Sequence, residues 1–143
     1  MLTENQINEG FNGHLHCSQQ VVREWADKLG YDRDEAMRMA APFGAGLWNG
    51  DSCGAVCGAM MVIGKKYGHC ELGDAEGNDA MIAKTREFNK EFIARNGSLA
   101  CRDLVKYDFS KEGELEKAFM SGRISEFCPK MVIEALEILD DIM

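Results

Sequence analysis

The chain has 143 residues, a formal net charge of −8 and 45% apolar residues, which suits one domain, 1–143, able to bury well over half of its unfolded surface. An acidic surface repels phosphates, and the basic residues are scattered without an arm or stripe, so a nucleic-acid partner is excluded. The longest apolar stretch, around Val56 to Ile63, is too short to insert in a bilayer.

The opening Met1-Leu2-Thr3-Glu4-Asn5-Gln6 lacks the basic start and apolar run of an export signal, so a cytoplasmic setting is expected. Thr3 can cap a first helix reaching about Phe11, stopped by Asn12-Gly13. Cys17 to Leu29 follows, with Val21, Val22, Trp25 and Leu29 at helical spacing and Gly30 as the stop. Asp32 opens a third helix carrying Ala36, Met37, Ala40 and Ala41 before Pro42. Phe43 to Gly50 is a loop whose glycines permit positive φ and close backbone approach.

Asp51 or Ser52 starts a central helix running to about Tyr67. Gly54 and Gly58 stand four apart, as do Ala55 and Ala59, so another helix can approach that face closely; a homodimer could use it. Val56, Met60, Met61, Val62 and Ile63 leave this helix little polar surface. Asp74 to about Asn96 is a long charged helix with Met81, Ile82, Phe88 and Phe92 inward. Ser98 to Cys101 begins a short helical turn through Val105, and Ser110 to Phe119 is a further acidic helix. The last helix spans about Cys128 to Ile142, with Pro129 in the first turn, where its missing N–H costs nothing. No segment alternates as a strand does. The expected fold is all-α, a compact multi-helix bundle around a buried Gly/Ala-rich helix.

Six cysteines and nine methionines make the chain rich in sulfur. The methionines are expected to be adaptable core filling. In a chain this long the cysteines are not needed as staples, and in a reducing compartment they point to metal or redox chemistry. They form neither paired C-x-x-C zinc knuckles nor a compact ferredoxin run. Instead Cys17, Cys53, Cys101 and Cys128 fall at or near four predicted helix starts. There the dipoles could jointly stabilise negative charge, such as a cluster held by four thiolates. The plain alternative is that each is a small buried hydrophobe. A helix opening just before Cys53 also favours its thiolate, which suits a nucleophile in disulfide exchange. Cys57, one turn further along the same face, is a resolving thiol or, better, packing, since two cysteines in one straight helix bridge poorly. Cys70 is a loop spectator. His16 could tune Cys17 or replace a cysteine as ligand, but His14, His16 and His69 read best as loop histidines without a special role. No phosphate loop, nucleophile elbow, zinc helix or haem-attachment motif occurs.

The segment Cys53-Gly54-Ala55-Val56-Cys57-Gly58 reads CGAxxG. An early cysteine precedes it in His14-Leu15-His16-Cys17, and two follow it in Ala100-Cys101-Arg102 and Phe127-Cys128-Pro129. With this order the chain resembles, over nearly all its length, the redox-active proteins named for the pattern C_GCAxxG_C_C. That family is similar to a domain of split-Soret cytochromes in which four cysteines hold a [2Fe–2S] cluster. The resemblance implies Cys17, Cys53, Cys101 and Cys128 as candidate cluster ligands, and it leaves Cys57 and Cys70 outside the pattern. The expectation is an electron-transfer protein, carrier or oxidoreductase, serving a redox partner protein. Two alternatives stand beside it: a thiol–disulfide oxidoreductase or sensor using Cys53, and a structural zinc protein with the same four ligands.

Overall fold

A computed structural model describes residues 1–143. It contains eight α-helices: α1 Glu4–Asn12, α2 Cys17–Leu29, α3 Arg33–Ala40, α4 Gly54–Tyr67, α5 Ala75–Asn96, α6 Cys101–Val105, α7 Glu114–Met120 and α8 Arg123–Ile142. The all-α expectation holds; the sole extended pairing is one antiparallel bridge, Ser52 with Ala100.

Local chemistry sets most of the boundaries. The Thr3 side chain accepts from Gln6 N–H while Gln6 Oε1 accepts from Thr3 N–H, a reciprocal cap that starts α1. Asp32 and Asp74 cap α3 and α5 by accepting from Glu35 and Gly77 N–H, both at 2.8 Å. The left-handed residue Gly30 ends α2.

α4 is the central helix, and α2 lies along it most extensively, with α5 and α8 closing other sides. The small-residue spacing explains the fit. A Cβ on Gly58 would come within 2.7 Å of Ser18 O and 2.9 Å of Val21 Cβ, so the bare glycine lets the α2 backbone lie directly against α4. The partner for that face is therefore α2 of the same chain, which removes the basis for using it in a homodimer. Val21, Val22, Ala55, Ala59, Phe88, Phe92, Leu136 and Leu139 form the centre of the core. Of the residues expected inward on α5, Phe88 and Phe92 are buried, while Met81 and Ile82 are half-buried.

Three boundaries differ from expectation. α4 begins at Gly54 because Ser52 is held extended by its pairing with Ala100. α7 begins at Glu114, since Asp108 Oδ1 accepts from Ser110 N–H and binds 108–110 in a turn. α8 begins at Arg123, so Pro129 and Cys128 lie inside the helix. Ile124, Phe127, Cys128 and Met131 continue the apolar stripe through the proline, and that burial outweighs the one hydrogen bond that Pro129 cannot give to Ser125 O. No helix is long and apolar enough to cross a membrane.

Candidate functional site

Cys17 is the first residue of α2, Cys53 immediately precedes α4, Cys101 opens α6, and Cys128 stands in the second turn of α8. All four side chains line one cavity of about 50 Å³. That is several times the roughly 10–15 Å³ one water needs. Otherwise its wall is mainly hydrocarbon, with Phe11, Trp48, Leu104, Phe109, Phe119 and Phe127 prominent. The expected meeting of four helix starts is corrected to three, because Cys128 joins from within a helix.

The antiparallel bridge between Ser52 and Ala100 draws together the two segments that carry Cys53 and Cys101, which lie diagonally across it. Cys53 N–H donates to Leu99 O at 2.8 Å, and Cys101 N–H donates to Asp51 O at 2.5 Å. Cys17 is brought in by the close contact of α2 with α4. A Cβ on Gly54 would overlap Cys17 Sγ and approach Phe43 O to 2.8 Å. The glycine of the CGAxxG segment is thus required by a neighbouring sulfur as well as by helix packing.

The Phe43–Gly50 loop does more than connect. Ala45, Gly46, Leu47 and Trp48 all have positive φ, between 49° and 63°. For a non-glycine residue the left-handed region costs about 1–2 kcal/mol, so surrounding contacts must hold the turn. Asp51 N–H donates to Gly46 O at 2.8 Å. Arg102 bonds Gly50 O at 3.0 Å and pairs with Asp51 at 2.6 Å. A Cβ at Gly46 would sit 2.7 Å from Cys101 Cβ, so only glycine fits there. Ala45 and Trp48 of this turn line the cavity.

Burial governs the electrostatics. It raises the Cys17 thiol pKa, opposed by backbone N–H groups of Ala45, Ser18, Cys17 and Gly54. Burial, then the neighbouring Cys17, raises Cys53, against N–H groups of Val56 and Ala55. Cys101 is pushed up to about 12 by burial and then by Cys17. Cys128 is pushed well up by burial, then by Cys17, Cys53 and Cys101, with Arg123 opposing. The expectation of a thiolate at Cys53 is therefore corrected. A helix end is worth about 0.3–1 kcal/mol, whereas burying a charge outright costs roughly 4–7 kcal/mol.

Cys57 is half-buried outside the cavity, its Sγ 3.8 Å from Ser52 O, and burial raises it to about 11. Cys70, His69 and His14 are exposed and remote from the cavity lining. His16 departs from its expectation as a plain loop histidine. It lines the cavity, meets Trp48 edge-on at 4.5 Å, and has its pKa lowered by burial and then by His14. Trp48 carried no signal in the sequence beyond lying in a glycine-rich loop; its role depends on the left-handed turn.

No group of three or more His, Cys, Asp or Glu side chains stands close enough together to hold a single metal ion as arranged. The four cysteines share one cavity lining all the same.

A family model described as putative redox-active protein (C_GCAxxG_C_C) matches residues 15–142. The chain belongs to this family. The matched residues take in the Cys53–Gly58 segment at the start of α4 and all four cavity cysteines. No curated protein and no solved structure matches the chain.

Proposed function

We propose that this C_GCAxxG_C_C protein holds an iron–sulfur cluster, [2Fe–2S] in type, on Cys17, Cys53, Cys101 and Cys128 and passes single electrons to a redox partner protein. One observation carries the reading: four cysteines from segments far apart in the chain line a single small cavity. The donor set suits the group. Thiolate sulfur is the usual ligand of iron–sulfur centres, and the four cysteines lining one cavity supply the donor number such a centre takes. The close seat that Gly54 leaves for Cys17 Sγ supports the same reading.

When bound, such a cluster supplies a one-electron couple. The chain's own residues do the rest. The cysteines surrender their protons on binding, which makes uptake proton-releasing and weaker in acid. N–H groups of Ala45, Gly54, Ala55 and Val56 are directed at Cys17 or Cys53 and stabilise negative charge on sulfur. Phe109, Phe119, Phe127 and Trp48 give the cavity an apolar wall, with Phe119 and Trp48 at its exposed side. Thiol–disulfide exchange through Cys53 is the weaker reading, because a buried, protonated thiol is a poor nucleophile.

The test is anaerobic purification from an iron-replete host, followed by an absorption spectrum with iron, zinc and acid-labile sulfide analysis. About two irons and two sulfides per chain are expected, lost in Cys17→Ser or Cys101→Ser and kept in Cys70→Ser. Zinc without sulfide would replace this reading with the structural-zinc alternative, and a colourless, metal-free protein would sink both.

A further inference from the structure

Resting on the iron–sulfur reading, we propose that Arg123 is a positioning residue: it fixes Cys101 and Cys128 at one wall of the cavity and, with a charge that no carboxylate within 4 Å pairs, makes the centre easier to reduce. Arg123 opens α8. Its Nε donates to Val105 O at 3.0 Å and its Nη2 to Leu104 O at 3.1 Å. Its guanidinium lies 4.2 Å from the centre of the Phe127 ring. The last carbonyls of a helix have no donors of their own, and α6 is only five residues long. One planar side chain therefore ties the end of the Cys101 helix to the residue beside Cys128. Leu104, Val105 and Phe127 all belong to the cavity wall.

Arg102, adjacent to Cys101 in the chain, also acts on that thiol, but it is ion-paired with Asp51 at 2.6 Å and Asp108 at 3.8 Å. Arg123 bonds only neutral carbonyls and an aromatic face, and its charge acts on Cys128. Reduction moves one electron from an external one-electron donor onto the centre; no bond breaks and no proton is required. The centre gains one negative charge, and a fixed cation across a hydrocarbon wall stabilises that state more than the oxidised one. Lysine would keep the charge and lose the two-pronged planar bond.

The experiment compares wild type, Arg123→Met and Arg123→Lys. In potentiometric titrations of the cluster-loaded proteins, Arg123→Met is expected to be about tenfold harder to reduce, about 59 mV lower for one electron. Arg123→Lys should stay within about threefold of wild type, since it retains the charge. An unchanged or higher potential in Arg123→Met, or an equal fall in Arg123→Lys, overturns the electrostatic role. Hydrogen exchange on the metal-free proteins reads the positioning role without any cluster. Amides of residues 101–106 should exchange about tenfold faster in Arg123→Met, with α2 and α4 unaltered; unchanged exchange there overturns that role. A wild type that takes up no cluster removes the iron–sulfur reading and the proposed effect on reduction with it, and the exchange measurement still decides the positioning.

Discussion

A methyl group on Gly54 would overlap Cys17 Sγ and press on Phe43 O. Phe43 O is backbone, and Cys17 opens a helix that packs along α4, so neither neighbour can retreat without moving an element. Gly54→Ala is expected to lose about 1–3 kcal/mol of stability, the usual result of overpacking, and most of the iron. Denaturant unfolding and metal analysis check both; a variant as stable and as iron-rich as wild type would show that Cys17 does not sit against this glycine. The same residues mark what could be read from the sequence. Cys53, Gly54 and the three other pattern cysteines stand out there through residue type and order. His16 and Trp48 do not, because an edge-on ring contact made across a left-handed turn has no periodicity and no local composition to announce it.

The contact of α4 with α2 depends on which glycines face inward. Gly58 lies against Ser18 and Val21, whereas Gly64 on the exposed side has nothing within 4 Å of an added Cβ. Two substitutions in one helix should therefore move stability in opposite directions. Gly58→Ala is expected to destabilise by about 1–3 kcal/mol, and Gly64→Ala to stabilise by roughly 0.5–1 kcal/mol through helix propensity. Paired unfolding curves decide it, and two shifts of the same sign would contradict the packing described. Helix starts and stops were legible wherever a side chain or glycine acts locally, as at Thr3, Gly30, Asp32 and Asp74. They were not legible at Gly54 and Arg123. There a pairing with Ala100 shortens one helix, and burial of Ile124 and Phe127 carries another backwards through a proline.

Across the protein, burial raises several weak acids at once: Cys57 to about 11, Cys101 and Tyr31 to about 12. An unfolded cysteine titrates near 8.5 and an unfolded tyrosine near 10. Above about pH 9 the unfolded chain has therefore released protons that the folded chain still holds. Stability then falls as pH rises, since its slope follows protons bound unfolded minus folded. This contribution is fully present below about pH 8 and is lost progressively as pH climbs through the folded values. The reduced, metal-free protein should show a lower denaturant midpoint at pH 10 than at pH 8. A level or rising midpoint would mean that these groups are not held protonated by the fold.

Helical class and the order of the elements follow from interactions within a few residues: spacing of apolar side chains, caps, and glycines at stops; the family pattern is legible as the order of its cysteines. Those interactions survive in a one-dimensional reading because their partners are neighbours in the chain. The common cavity, the burial that raises the pKa of its thiols, the contacts that hold the left-handed turn at Ala45–Trp48 and the tie made by Arg123 join residues tens of positions apart. They exist only once α2, α4, α6 and α8 have packed, because desolvation and close contact belong to the assembled volume and to no single stretch of sequence.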